Sequence, residues 1–172
     1  MRLMILCLPL LAAACARQPV ETFADRTPAL HLEEFYNGHV RGYGTFFSGG
    51  GDVVKQFTID DVGHWDGKIL AVHEHYVYAD GTTQELDWKF QKEPGGEWIG
   101  LSPDVVGEAH GREAGNAYRM HYTFDLTSSG SDHTLDFDDW QWAITAKVVM
   151  NRAWGTKLGL GFGEVEAVFV KD

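Results

Sequence analysis

Basic residues are scarce in this chain: 14 Lys and Arg stand against 25 Asp and Glu, a net charge of -11 over 172 residues. So acidic a surface repels phosphate backbones, and no stretch gathers Lys or Arg into a stripe, so nucleic acid is excluded as a partner. Cysteine is nearly absent, with only Cys7 and Cys15, which rules out a disulfide framework. Long apolar runs are missing except one from Leu3 to Leu11, well short of the roughly 20 residues that a membrane-spanning helix needs. There is no Gly-x-Ser-x-Gly elbow and no phosphate-cradling glycine loop, so the sequence supports neither a hydrolase nor a kinase, and it implies no cofactor.

What is present is apolar and aromatic: 44% hydrophobic and 13% aromatic residues, enough for one globular domain with a core of adequate size. Twenty glycines against five prolines, with aromatics spread along the whole length, favour many short strands joined by tight turns over long helices.

The first fourteen residues, one arginine followed by the Leu3 to Leu11 run and three alanines, read as a secretory signal peptide. Two cleavage readings compete. Ala12-Ala13-Ala14 suits an ordinary signal peptidase, whereas small residues directly before Cys15 resemble a bacterial lipobox, in which Cys15 becomes the lipidated N-terminus. Cys15 otherwise has no role, which favours the second. Removal of residues 1–14 takes away Cys7 and a single charge, Arg2, leaving -12 on the mature domain. Anionic headgroups repel such a domain, so acyl chains and not the protein surface would hold it to a membrane. Ala16 after the cysteine resembles lipoproteins passed on to the outer membrane, so the expected address is the periplasmic face of that membrane.

Residues 15–30 are polar and proline-punctuated and read as a lipidated tether, leaving 31–172 as one domain. Leu30 to Tyr36 is expected to form a helical turn or two. Beyond Gly38 the pattern has period two almost to the end. Asp66-Gly67 and Asp80-Gly81 sit between alternating strands as two-residue type I′ hairpins, and Pro94-Gly95-Gly96 and Ser128-Ser129-Gly130-Ser131 punctuate later ones. Tyr118, Met120, Tyr122, Phe124 and Leu126 share one face, with Arg119, His121, Thr123 and Asp125 on the other. Leu86, Trp88 and Phe90 alternate in the same way with Glu85, Asp87 and Lys89. Between His133 and Ile144 the phase slips, since Leu135 and Phe137 have one parity and Trp140 and Trp142 the other, which predicts a β-bulge at Asp138 or Asp139. About nine or ten antiparallel strands in a meander are expected to remove their edges by closing into a barrel, an all-β fold.

Several spaced motifs, in one order, then resemble a family of bacterial lipoproteins, domain of unknown function 3833. They are Phe35-Tyr36-Asn37-Gly38, Gly42-Tyr43-Gly44, Tyr78-Ala79-Asp80-Gly81 with Trp88, Asp104-Val105-Val106-Gly107-Glu108-Ala109 running to Gly115-Asn116-Ala117, Asp138-Asp139-Trp140, Asn151-Arg152-Ala153, Lys157-Leu158-Gly159 and Gly163-Glu164-Val165. The chain departs from the pattern at Gln141, where Met is expected. The resemblance implies a lipocalin-like barrel and an envelope address, and no established activity. Asp104, Gly107, Asn116, Asp138, Asp139, Asn151, Arg152, Lys157 and Gly159 are taken from it as residues that serve the fold.

Glu74 shares the parity of Leu70, Val72, Tyr76 and Tyr78 and so belongs on an interior face, where a carboxylate must be paired, hydrogen-bonded or protonated. It is read first as a structural acid satisfied by an internal Arg or Tyr, and second as the polar anchor of a ligand cavity. His73 and His75 face the other way and can bind a metal if a third ligand approaches, which His64 could supply, but no Cys or acid of matching spacing is nearby, so no metal is expected. Asp138 and Asp139 are expected to cap amides or to pair with Arg152 or Lys157. No catalytic residue is assigned. Tyr43, Trp88, Tyr122, Trp140 and Trp142 either line a cavity or fill the barrel, and with Glu74 they make up the candidate cavity. The expected function is non-catalytic binding of a hydrophobic or amphiphilic small molecule, such as a fatty acid or lipid derivative. The alternatives are a filled-barrel interaction module in envelope assembly and a lipid-modifying enzyme.

Overall fold

Ten strands run as an unbroken antiparallel meander, each hydrogen-bonded to the next, and the last pairs with the first to close a barrel. The computed structural model describes residues 18–129 and 133–172. The signal segment 1–14, Cys15 and part of the Ser128–Ser131 turn lie outside the described residues. The strands are β1 Gly38–Ser48, β2 Val53–Trp65, β3 Ile69–Tyr78, β4 Thr83–Glu93, β5 Glu97–Leu101, β6 Ala109–Ala114, β7 Ala117–Asp125, β8 Thr134–Thr145, β9 Val148–Lys157 and β10 Leu160–Lys171. Closure by β1 on β10, from Val40↔Lys171 to Ser48↔Gly163, leaves no edge strand for another chain to extend.

The turns use their residues differently from the expectation. At Asp66-Gly67 and Asp80-Gly81 only the glycine takes a positive φ, +99° and +82°. The aspartates serve as acceptors: Asp66 Oδ1 takes the amides of Lys68 at 2.8 Å and Ile69 at 2.7 Å, and Asp80 Oδ1 takes that of Thr82 at 2.9 Å. These connections are therefore longer than the two-residue type I′ loop, with the side chain closing the turn. A two-residue loop with both positions at positive φ does occur, at Leu158 (+52°) and Gly159 (+76°) between β9 and β10.

No bulge lies at Asp138 or Asp139. The β7–β8 register runs without interruption from Ala117↔Trp142 to Asp125↔Thr134, and β8 slips against β9 only between Ala143 and Thr145. The phase change has another cause. Leu135, Phe137, Asp139 and Gln141 point inward, while Trp140 and Trp142 point outward under a cover supplied by the N-terminal segment. A one-turn 3-10 helix, Val20–Phe23, sets the Phe23 ring 5.8 Å from Trp140 and 6.5 Å from Trp142. Trp140 is 2% exposed although it stands on the outer wall. Where this segment crosses the β6–β7 turn, a Cβ on Gly115 would lie 1.8 Å from the Phe23 carbonyl oxygen, so only glycine admits it. Within the stretch to residue 30 read as a tether, Val20, Phe23 and Leu30 are buried.

One end of the barrel is shut by a short helix, α1 Leu32–Phe35. Leu32 and Phe35 are buried in the core beneath it. The Leu32 amide donates to Glu113 Oε1 at 2.9 Å, Lys92 reaches Glu33, and the Lys171 ammonium donates to the carbonyls of Phe35 at 2.9 Å and Asn37 at 2.6 Å. A Cβ on Gly63 would lie 1.8 Å from the Tyr36 carbonyl oxygen, so the absence of a side chain there lets this closure seat. The opposite end carries the β1–β2, β3–β4 and β9–β10 turns.

Candidate functional site

The interior is not filled. A cavity of about 390 Å³ lies inside the barrel, bounded by Leu32 and Tyr36 at the closed end and by Phe46, Val54, Lys55 and Phe162 at the other. That volume lies at the small end of the range for small-molecule sites, roughly 300–1,000 Å³. Strand alternation builds its wall: every second residue of β2, β3, β4, β7, β8 and β10 points in. Aromatic rings meet around it, with Trp88 stacked on Phe90 at 5.2 Å, Tyr122 stacked on Phe137 at 5.3 Å, Trp88 edge-on to Tyr122 at 5.6 Å, and Phe57 against Tyr76 at 5.5 Å.

The inner end is polar and acidic. Glu74 and Asp139 line the cavity, and Asp61 stands beside Glu74 across the β2–β3 ladder. The Tyr76 hydroxyl donates to Glu74 Oε2 at 3.0 Å, Asn151 Nδ2 to Asp139 Oδ1 at 2.5 Å, and the Tyr36 hydroxyl to Gln141 Oε1 at 3.0 Å. Asp61 is 1% exposed, and neither of its carboxyl oxygens has a hydrogen-bond partner among the described residues. Burial raises all three acids. Asp61 rises to about 9, helped by the neighbouring Glu74 and Asp60. Glu74 rises to about 7 against the Tyr76 hydrogen bond, and Asp139 to about 7 against the Asn151 hydrogen bond. Burial also keeps Tyr36, Tyr76, Tyr118 and Tyr122 neutral. Among the described lining residues the only basic one is Lys55, at the mouth, where its ammonium sits 4.4 Å above the Tyr78 ring.

Of the residues expected to line a cavity, the structure brings together Glu74, Trp88 and Tyr122. Tyr43, Trp140 and Trp142 are corrections. Tyr43 is on the outer face and 50% exposed, and the two tryptophans form the stacked outer pair, 5.5 Å apart, under Phe23. Glu74 has the expected tyrosine partner and also faces the cavity.

The adjacent acids Asp138 and Asp139 of β8 separate. Asp138 lies outside, gripped by Arg119 Nε at 2.8 Å and Nη2 at 3.1 Å. Asp139 lies inside with Asn151, so two residues assigned to the fold belong to the cavity floor. The remaining motif residues serve the wall. The Asp104 carbonyl accepts the Asp125 amide at 2.7 Å, Gly107 turns at φ +76°, Asn116 donates to the Ala143 carbonyl at 3.1 Å, and Arg152 pairs with Glu164 at 2.9 Å. Lys157 and Gly159 stand at the β9–β10 turn.

Sequence reasoning missed Tyr36, Asp61, Gln141 and Asn151. Asp61 carried a usable signal, because it shares the parity of Phe57 and Ile59, with Thr58 and Asp60 on the other face. On the outer wall, His73 bonds Asp87 at 2.8 Å and Glu85 at 3.1 Å, and His75 bonds Glu85 at 2.5 Å. No group of His, Cys, Asp and Glu among the described residues is arranged to hold a metal.

The barrel is similar to a solved structure, the S-type phycobiliprotein lyase CPES from Guillardia theta, with a TM-score of 0.61 and 12% identity over 90% of this chain and 98% of that one. The likeness establishes a shared lipocalin-like barrel. Among curated proteins, none matches this sequence. The family model described as protein of unknown function (DUF3833) matches residues 9–171. Because that model spans nearly the whole chain, the protein belongs to the DUF3833 family.

Proposed function

We propose that this protein is a non-catalytic carrier of an amphiphilic small molecule, held in the cell envelope by a lipid on Cys15. The observation that carries the reading is the cavity, a ring of aromatic and aliphatic side chains whose carboxyls gather away from the mouth, where Lys55 and Gln84 lie. Such a lining binds a molecule with an apolar body and one polar terminus. The structural neighbour, named as a phycobiliprotein lyase, supports a barrel of this shape taking a small molecule. The filled-barrel alternative loses its premise, since the interior is open.

The mouth supports exchange with an apolar phase. Val53, Val54, Leu158, Leu160 and Phe162 are all exposed there, on adjacent glycine-rich hairpins, a concentration of apolar surface that an isolated soluble domain has little reason to carry. The signal segment and the residues before Cys15 support an envelope location, at the periplasmic face of the outer membrane.

A second reading, enzymatic, draws on Glu74 and Asp139 being poised at about 7, suitable for proton transfer near neutrality. Under this reading the protein turns its ligand over and Glu74→Gln abolishes the turnover; a turnover left intact in that variant would exclude Glu74 as its acid.

Native mass spectrometry of protein purified from its own envelope tests the carrier proposal. A stoichiometric adduct of a few hundred daltons that is released on unfolding is expected. Protein that is consistently unliganded, and that takes up no amphiphile on addition, would overturn it.

A further inference from the structure

Resting on the carrier reading, we infer that the ligand's polar terminus is a nitrogen-centred cation, such as a protonated amine, seated at the closed end of the cavity against Glu74 and Asp139. Three carboxyls share this end: Asp61 and Glu74 are directly opposite in register on β2 and β3, and Asp139 reaches in from β8. Opposed residues on one face of an antiparallel ladder have Cβ atoms about 4.5–5.5 Å apart. Like charges so placed, away from bulk water, repel strongly unless a proton or a cation intervenes.

Among the described residues that line this end there is no such cation, and His73, whose charge is felt by Glu74, is bonded to Asp87 on the outer wall. The groups facing this end from the packed elements are Tyr36 of α1, Tyr76 of β3, Tyr118 and Tyr122 of β7, and the amides of Gln141 and Asn151. None of them carries positive charge, and Lys55 lies at the far end. The hydrogen bonds present leave acceptor capacity unused. Glu74 receives the Tyr76 hydroxyl on Oε2. Asp61, buried and facing this cluster, receives nothing on either oxygen.

A bare buried acid without a partner is costly, so a floor of three acids without a base is a poor structural device. It is a good receptor for a charge carried in by the ligand. An alkylammonium offers three N–H donors and one positive charge on a slender apolar stem, matching an acidic floor below an aromatic tube. A fatty-acid carboxylate pushed to the same depth would add a fourth acid. The fatty-acid expectation therefore gives way to a cationic amphiphile.

The test compares decylammonium, decan-1-ol and decanoate, three probes with one tail and three head groups, by calorimetric titration of the full mature protein. At about pH 8 the amine is charged and Glu74 and Asp139 are largely ionised. Decylammonium is expected to bind about ten- to a hundredfold more tightly than decanol, the range for a hydrogen bond to a charged group, with decanoate weakest. In the isosteric pair Glu74→Gln with Asp139→Asn, whose fold is checked by circular dichroism, the amine's advantage is expected to fall to about twofold or less while decanol binding persists. Equal binding of the three heads, tighter binding of decanoate, or an amine preference that survives in the double variant would overturn the inference and leave the carrier reading standing. Failure of all three probes to bind would overturn both.

Discussion

Asp61 and Glu74 face one another across the β2–β3 ladder inside the barrel, two acids with no cation between them. Their protons, and that of Asp139, are held more tightly in the folded chain than in the unfolded one. The ordinary values are 3.8 for Asp and 4.5 for Glu, and folding raises Asp61 to about 9 and Glu74 and Asp139 to about 7. Between those limits the native state binds more protons than the unfolded state, so stability falls as pH rises. His39 and His73, raised mainly by hydrogen bonds to Asp172 and Asp87 respectively, work in the same direction, because their contribution is lost as pH climbs through their folded values. The ligand-free barrel is expected to be more stable at about pH 5.5 than at about pH 8.5, by an amount on the order of a few kcal/mol. Calorimetric melting at the two pH values checks this. Replacing Glu74 by Gln and Asp139 by Asn should reduce the difference, the remainder staying with Asp61, whose rise comes first from burial, and a melting temperature that rises with pH would contradict the account.

The closed end depends on a missing side chain. Gly63→Ala places a methyl within van der Waals overlap of the Tyr36 carbonyl, so α1 must lift or β2 must bend. Urea denaturation should show a loss of about 1–3 kcal/mol or more, the usual cost of overpacking. An unchanged midpoint would mean that the closure is loosely held.

Phe23 holds the N-terminal segment on the outer wall. Phe23→Ala removes the ring that covers Trp140 and Trp142, and a loss of about 3 kcal/mol is expected from the cavity left behind. Tryptophan emission should shift to the red, and limited proteolysis should cut near Val20 before it touches the strands.

Much of the fold is legible in the sequence because alternation on an antiparallel strand is a physical consequence of one dry face and one wet one. Glu74, Trp88 and Tyr122 follow from that parity. Trp140 and Trp142 do not, because β8 is apolar on both faces, and periodicity cannot say which apolar face looks inward. Only the docking of Val20 and Phe23, a contact more than a hundred residues away in sequence, settles it. Tyr43 misleads for a related reason: it lies between Gly42 and Gly44, whose lack of side chains hides the true inward face. At Gly44 a Cβ would lie 2.5 Å from the Phe57 ring. The acidic floor was the hardest part to see, since its members come from β2, β3 and β8, and no local pattern links Asp61 to Asp139.

Leu158 is held at φ +52° and is 92% exposed, so it contributes strain without burial. Leu158→Gly should stabilise the protein by about 1 kcal/mol, the cost of a branched residue in the left-handed region, as read from chemical denaturation. The carrier account further expects slower transfer of a bound amphiphile to and from lipid vesicles in this variant, followed by stopped-flow fluorescence. A destabilised variant would show that the leucine packs against something in solution.

In a carrier of this kind the amphiphile occupies the interior of the barrel. Trp88 is the one tryptophan that lines the cavity among the described residues, and a bromine-tipped alkyl chain quenches indole fluorescence only at short range. Titration with a terminally brominated decylamine should quench emission saturably at one ligand per barrel, and Trp88→Phe should abolish that component while leaving the other tryptophans unaffected. Quenching that never saturates, or that persists undiminished in Trp88→Phe, would place the ligand outside the barrel and contradict the account.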